Sequence, residues 1–280
     1  MRDIDCGQIT ETVARLCQEA NWDLGEDVVG ALRKAHEEEP NERAKGIIHA
    51  LLENAEIARN ERIPACQDTG YLVAFVKLGQ EAHVTGGSLT DAINEGVRQG
   101  YADGFLRKSV LNDPLERTNT GDNTPAVIHV EVVPGDQLEI TVAPKGGGSE
   151  NMSSVKMLTP AVGREGVIEY VVGEVSEAQG KPCPPVIVGV GIGGTFEKCA
   201  WLAKHALLRD VGQPSDDPDT AELERELLER INALDIGPMG MGGRTTALAV
   251  HVERHPCHIA SLPAAVNIQC HSARHKSAVL

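Results

Sequence analysis

The sequence is poor in aromatic residues, in positive charge and in long apolar runs. Aromatics make up 3% of its 280 residues, so aliphatic side chains have to fill any core. Only 26 lysines and arginines stand against 41 aspartates and glutamates, a formal net charge of -15. That balance argues against a nucleic-acid partner, because phosphate contacts need a positive footprint. It also disfavours anionic membrane surfaces. No apolar run approaches the roughly 20 residues of a membrane span. The opening MRDIDCGQITETVARLCQEA is charged at once and lacks the apolar stretch of a signal peptide. The expectation is a cytoplasmic chain with no membrane and no nucleic acid among its partners. Paired C-x-x-C spacing is missing as well. The cysteines number seven, an odd count spread widely, which points to thiols, ligands or nucleophiles rather than a disulfide framework.

What the chain does have is aliphatic periodicity and glycine. The first sixty residues read as helices. ITETVARLCQEA places Ile9, Val13, Leu16 and Cys17 on one stripe. GEDVVGALRKAHEEE and NERAKGIIHALLENAEIARN repeat the pattern, with Pro40 and Asn41 as stop and cap between them. Beyond residue 60 strands appear. YLVAFVKLG reads as a strand, and SLTDAINEGVRQGYADG as a helix opened by Ser88. PAVIHVEVVPGDQLEITVAP reads as a hairpin turning at Pro134-Gly135-Asp136. TPAVGREGVIEYVVGEVSEAQ and AELERELLERINAL read as helices, and PPVIVGVGIGG as a buried strand feeding a helix capped by Thr195. The spacing predicts an α+β fold, a helical N-terminal segment (1–60) packing on mixed β-sheets covered by helices (61–280), as one domain.

One glycine pattern invites a nucleotide reading. GVGIGG offers Gly189, Gly191 and Gly194 between a strand and a helix. A dinucleotide fold also needs an acidic residue about 20 positions on, at the end of a second strand. Asp210 is near that distance but precedes a loop, so the expectation is that no βαβ unit closes here. Close strand–helix packing is the plainer account. KGGGSENMSS lacks the order of a phosphate loop, yet its exposed backbone N–H groups suit a carboxylate.

The chemistry-bearing candidates lie in turns. Cys17 and Cys199 share helical faces with apolar neighbours and read as packing residues. Cys66 in IPACQDTG, Cys183 in GKPCPPV and Cys270 in NIQCHSARH have no such explanation. Three thiolates from distant turns, if they converge, suit a [4Fe-4S] cluster with one iron left open.

The blocks IPACQDTG, KGGGSENMSSVKMLTP, KPCPPVIVGVGIGGTFEKCAWLAK, GPMGMGGRTTALAVHVE and HIASLPAAVNIQCHSARH occur in order along the chain. Together they resemble the alpha subunit of class I fumarate hydratases and L-tartrate dehydratases, the iron-sulfur hydro-lyases. The resemblance implies a [4Fe-4S] cluster acting as Lewis acid, with its cysteines at Cys66, Cys183 and Cys270. It implies substrate contacts at Gln67, Arg107, Gly147 and Gly148, and acid–base roles for Asp68 and His258. It implies reversible hydration of fumarate to L-malate, with dehydration of L-tartrate as the alternative. Single-chain members carry a further domain holding the base that removes the carbon-bound proton. The resemblance therefore implies a separate beta subunit, in a hetero-oligomer or around a homodimer of alpha, and a small dicarboxylate substrate. A non-catalytic iron-sulfur redox sensor would use the same three cysteines, but would give Gln67, Asp68, Arg107 and His258 no reason to gather.

Overall fold

The computed structural model describes residues 2–280. Along the chain the elements run β1 (Arg2–Asp5), α1 (Cys6–Trp22), α2 (Glu26–Glu38), α3 (Glu42–Glu61), β2 (Tyr71–Gly79), β3 (Ala82–Thr85), α4 (Leu89–Asp103), β4 (Val127–Val133) and β5 (Leu138–Lys145). They continue with α5 (Gly147–Glu150), β6 (Ser154–Leu158), α6 (Gly163–Ala178), β7 (Val186–Gly193), α7 (Phe196–His205), α8 (Pro218–Asn232), β8 (Ala247–His255), β9 (Leu262–Gln269) and β10 (Lys276–Val279). Local chemistry sets many of these limits. Asp5 and Ser88 accept N-terminal amides of α1 and α4, and Asn41 accepts from Arg43 and Ala44 at the start of α3. The mixture of helices and sheets is the α+β class that the periodicity predicts. Among the described residues no helix is long and apolar enough to cross a membrane.

The chain divides into two compact units. The first comprises the segments up to Leu24, Ala55–Gly147 and Arg274–Leu280, and the second Gly25–Asn54 and Gly148–Ala273. The N-terminal helices are shared out accordingly, α1 to the first unit and α2 to the second, while α3 starts in the second and ends in the first.

The first unit is built on a four-stranded sheet ordered β10-β5-β2-β4, with β1 and β3 as a separate parallel pair. Ile9, Val13 and Leu16 of α1 and Ile93, Val97 and Tyr101 of α4 join Leu72, Ala74, Val76, Ile140 and Val142 in its core. Here the expected hairpin is corrected. β4 and β5 are not partners. β2 lies between them, parallel to β4 (Val73 beside Val127) and antiparallel to β5 (Leu72 beside Pro144). The reason is burial. Leu72 through Val76 are buried without alternation, so β2 takes a central position, whereas Val130 and Val132 of β4 are 50% and 64% exposed. The chain crosses from β4 to β5 around the end of β2, where Gly79 donates to the Gln137 carbonyl and Gln80 to that of Val133.

The second unit holds a sheet ordered β6-β9-β7-β8, with a core of Val167, Ile168, Val171, Val188, Val190, Leu227, Val250 and Val266 among others. A second correction falls here. β7 and β8 are parallel neighbours, Val186 to Gly193 against Ala247 to His255, joined through α7 and α8. A crossover unit does close, but over residues 194–246, beyond the reach of a dinucleotide fingerprint. The glycines serve packing. A Cβ on Gly191 would collide with the Cys199 carbonyl oxygen of α7, and one on Gly189 with that of Ala203.

Two outcomes follow from this packing. Gly191→Ala should lower unfolding free energy by about 1–3 kcal/mol through overpacking. Gly173→Ala, on α6 with open space around the new methyl, should raise it by roughly 0.5–1 kcal/mol. Urea titration of both variants tests the pair. His251, buried in β8 and facing Ala206, Arg209, Glu224 and Asp27, has its pKa lowered to about 4, chiefly by burial. Its folded value lies below the unfolded one, so the unfolded chain binds the extra proton first and stability falls as pH drops from about 6.5 toward 4. His251→Asn should flatten that part of the stability curve.

Candidate functional site

In the first unit, the segment from Ala65 to Gly70 enters β2 through a turn tied at nearly every residue. Ala65 donates to the Asn21 carbonyl at 2.9 Å. Cys66 is partly exposed, its Sγ 3.5 Å from Gln67 Oε1, and Gln67 is exposed. Asp68 uses both carboxylate oxygens as acceptors. Oδ1 takes the Gly70 amide at 3.1 Å, an Asx-type turn, and Oδ2 takes the Gly147 amide at 2.8 Å. Gly70 has φ +83, and a Cβ there would sit 2.7 Å from the Lys145 nitrogen, so only glycine fits. Thr69 Oγ1 donates to the Arg107 carbonyl at 2.8 Å. Arg107 itself is exposed, and among the described residues its guanidinium makes no hydrogen bond or ion pair. One fold unit thus gathers Cys66, Gln67, Asp68, Arg107 and Gly147.

Behind this turn lies a buried polar layer that the sequence reading missed. Tyr101, fully buried on α4, donates toward the carbonyls of Thr69 and Gly70 at 2.9 and 3.0 Å. Asn123 Nδ2 also reaches the Gly70 carbonyl, at 3.2 Å. Arg274 donates to the Asp68 carbonyl at 2.9 Å. Burial drives the Tyr101 phenol well above its ordinary pKa, so it remains a donor. Nothing in local sequence flags these residues. Their role comes from three consecutive carbonyls that need partners away from water.

In the second unit, Cys183 precedes β7 and Cys270 follows β9. The two strands are antiparallel, with Ile187 opposite Gln269, which brings both cysteines to one end of the sheet. The His271 amide and its Nδ1 both contact the Cys183 carbonyl, at 3.3 and 3.0 Å. Cys183 has φ +57, a left-handed conformation that a non-glycine residue keeps only where its surroundings impose it. Gly148 lies beside the same loop, with its Cβ direction toward the Lys181 carbonyl.

His258 is not brought to this pair. It stands in the exposed loop between β8 and β9, whereas Cys270 follows the other end of β9. At about 3.3 Å per residue, the strand between them is roughly 25 Å long. His258 lines a separate cavity of about 440 Å³ with Thr195, Lys198, His255 and Cys257.

The thiols sort by environment. Cys17 and Cys199 are buried, and burial pushes both upward in pKa, which makes them inert packing groups. Cys66 and Cys270 are partly exposed and Cys183 is exposed. Among the described residues no three His, Cys, Asp or Glu side chains form a ready-made metal site. The donor chemistry of the three turn cysteines nevertheless fits thiolate ligation of an iron-sulfur cluster, and two of them already share a sheet end.

The chain matches the family described as fumarate hydratase (fumerase) over residues 10–279. A Methanocaldococcus jannaschii chain, named as a candidate L(+)-tartrate dehydratase subunit alpha, is 43% identical over 273 residues, 95% of each chain. The L(+)-tartrate dehydratase alpha subunits of Escherichia coli strain K12 and Shigella sonnei strain Ss046 are each 34% identical over 271 residues, covering 95% of this chain and 89% of theirs.

The Asp68–Gly147 contact carries a direct test. Asp68→Ala should speed amide exchange at Gly147 about fivefold, the loss of one hydrogen bond of ordinary net strength. Gln67→Ala should leave that amide unchanged.

Proposed function

The chain belongs to the fumarate hydratase (fumerase) family, and we propose on that premise that it is the alpha subunit of a two-subunit iron-sulfur hydro-lyase that hydrates fumarate reversibly to L-malate. The observation that carries the proposal is the 2.8 Å bond from the Gly147 amide to the Asp68 carboxylate. It joins the turn after Cys66 to the glycine loop, and the Thr69 bond to the Arg107 carbonyl adds the third block. A metal centre, an acid and a carboxylate anchor are what dehydration of a hydroxydicarboxylate requires.

In this reading Cys66, Cys183 and Cys270 hold a [4Fe-4S] cluster, which when bound supplies an open Lewis-acidic iron for a substrate oxygen. The chain's own residues do the rest of their half. Arg107, exposed and with no side-chain partner among the described residues, grips one substrate carboxylate through its planar fork. Gln67 offers its amide beside the first ligand. The exposed backbone at Gly147 and Gly148 leaves room for the second carboxylate. Asp68 exchanges the proton of the hydroxyl that departs or arrives. His258 reaches such a centre only if a second alpha chain presents the far end of β9 to the cysteine end of the first, so the proposal includes an alpha dimer. The base for the carbon-bound proton comes from a beta subunit, a partner consistent with the "subunit alpha" in the relatives' names.

Those names also favour a second reading, dehydration of L-tartrate to oxaloacetate by the same residues. A non-catalytic iron-sulfur sensor has less support, since it gives no use to Arg107 and Asp68 beside Cys66.

Anaerobic reconstitution with iron and sulfide should give the broad visible absorption of a cluster, and Cys183→Ser should abolish it. With the matching beta subunit, Asp68→Asn should keep the cluster and lose roughly 10²- to 10⁴-fold in kcat. Parallel assays on fumarate and L-tartrate decide between the two substrates. If the loaded pair converts neither, the hydro-lyase reading fails.

A further inference from the structure

Arg274 is 4% exposed. Among the described residues, no ion pair joins it to a carboxylate, and its Nε is buried without a hydrogen-bond partner. A guanidinium taken out of water normally needs a counter-ion and filled donors. Here only two of its donors have partners among the described residues. Nη1 gives to Asn21 Oδ1 at 2.9 Å and Nη2 to the Asp68 carbonyl at 2.9 Å. A neutral donor could fill those two bonds without burying a charge. The placement makes sense through the residues it touches.

Asn21 is itself fixed. Its Nδ2 donates to the Cys17 carbonyl of α1 at 2.8 Å, and its own carbonyl accepts the Ala65 amide at 2.9 Å. Asn21 therefore holds the chain just before Cys66 directly, and just after Gln67 through Arg274. Cys66 and Gln67 lie between two clamped points, and the planar guanidinium fixes the angle at which Asp68 leaves the clamp. Asp68 then places its carboxylate on the Gly70 and Gly147 amides.

We infer that Arg274 is the positioning residue of the Cys66–Asp68 turn, its buried guanidinium setting where Asp68 presents its carboxylate. The role rests on the reading of Asp68 as the acid–base group of a hydro-lyase. It acts through Asp68 and does not touch substrate.

The test uses the reconstituted alpha–beta enzyme and the full alpha chain. In the enzyme, Arg274→Gln should lower kcat roughly ten- to hundredfold, the size of effect a displacement of about 1 Å produces. KM and cluster absorption should stay near those of the parent, and Arg274→Lys should recover part of the loss. In the alpha chain alone, Arg274→Gln should speed amide exchange at both Gly70 and Gly147 while other β2 amides keep their protection. Unchanged kcat, or unchanged exchange at those two glycines with only a lower melting temperature, overturns the inference. If Arg274→Gln does not fold, Asn21→Ser keeps the arginine but removes its holder, and the same two amides decide. If the parent enzyme converts no dicarboxylate, the hydro-lyase reading has failed, while the exchange result still decides whether Arg274 positions Asp68.

Discussion

The carbonyls of Asp68, Thr69 and Gly70 point into the first unit, and each meets a buried side-chain donor. Arg274, Tyr101 and Asn123 supply those donors. Buried carbonyls without partners are costly, so the turn has one low-energy arrangement. Next to these inward carbonyls, Cys66 and Asp68 are half-buried and Gln67 is exposed. Rigidity of this sort is what a site of small polar groups needs, because misplacement by a fraction of an ångström loses much of their effect. The low aromatic content fits the same picture. With an aliphatic core, the fully buried Tyr101 can pack by its ring and commit its hydroxyl to backbone bonding.

The second unit reaches precision by other means. Its two turn cysteines meet because β7 and β9 are antiparallel and in register at Ile187 and Gln269, and β7 stays flat against α7 because its glycines admit the helix backbone. The same register argument places His258 at the opposite end of β9. Sequence distance from Cys270, a dozen residues, says nothing about which end of a strand a residue occupies. An eight-residue strand converts that dozen into most of the depth of a fold unit.

Legibility in the sequence followed the range of the interactions involved. β2, the caps at Ser88 and Asn41, and the amphipathic helices are local features, and they stand where periodicity and capping put them. The turn residues Cys66, Gln67 and Asp68 are conspicuous as chemically unlike neighbours, although Asp68 also closes a local Asx-type turn. Sheet neighbours were not legible. PAVIHVEVVPGDQLEITVAP alternates like a hairpin, but alternation reports which face a residue takes, not which strand lies beside it. The short strands β1, β3, β6 and β10 carry too few residues for a period to register. Arg274 lies inside the NIQCHSARH block, but its role is not legible there, since it depends on Asn21 and Asp68, both more than 200 positions away.

Charge closes the argument about substrate. A chain of net charge -15 repels a dianionic diacid at long range, but ionic screening confines that repulsion to about 8 Å under physiological salt. Within that distance the local cations decide. Arg107 in the first unit is exposed and, among the described residues, paired with no carboxylate, in a chain where most arginines on helix surfaces are paired with glutamates or aspartates. An arginine left unpaired among 41 acidic residues is available to an external carboxylate. Its main chain is tied to the Asp68 turn by Thr69, so in the proposed reaction an anion held by Arg107 would arrive beside the proposed acid.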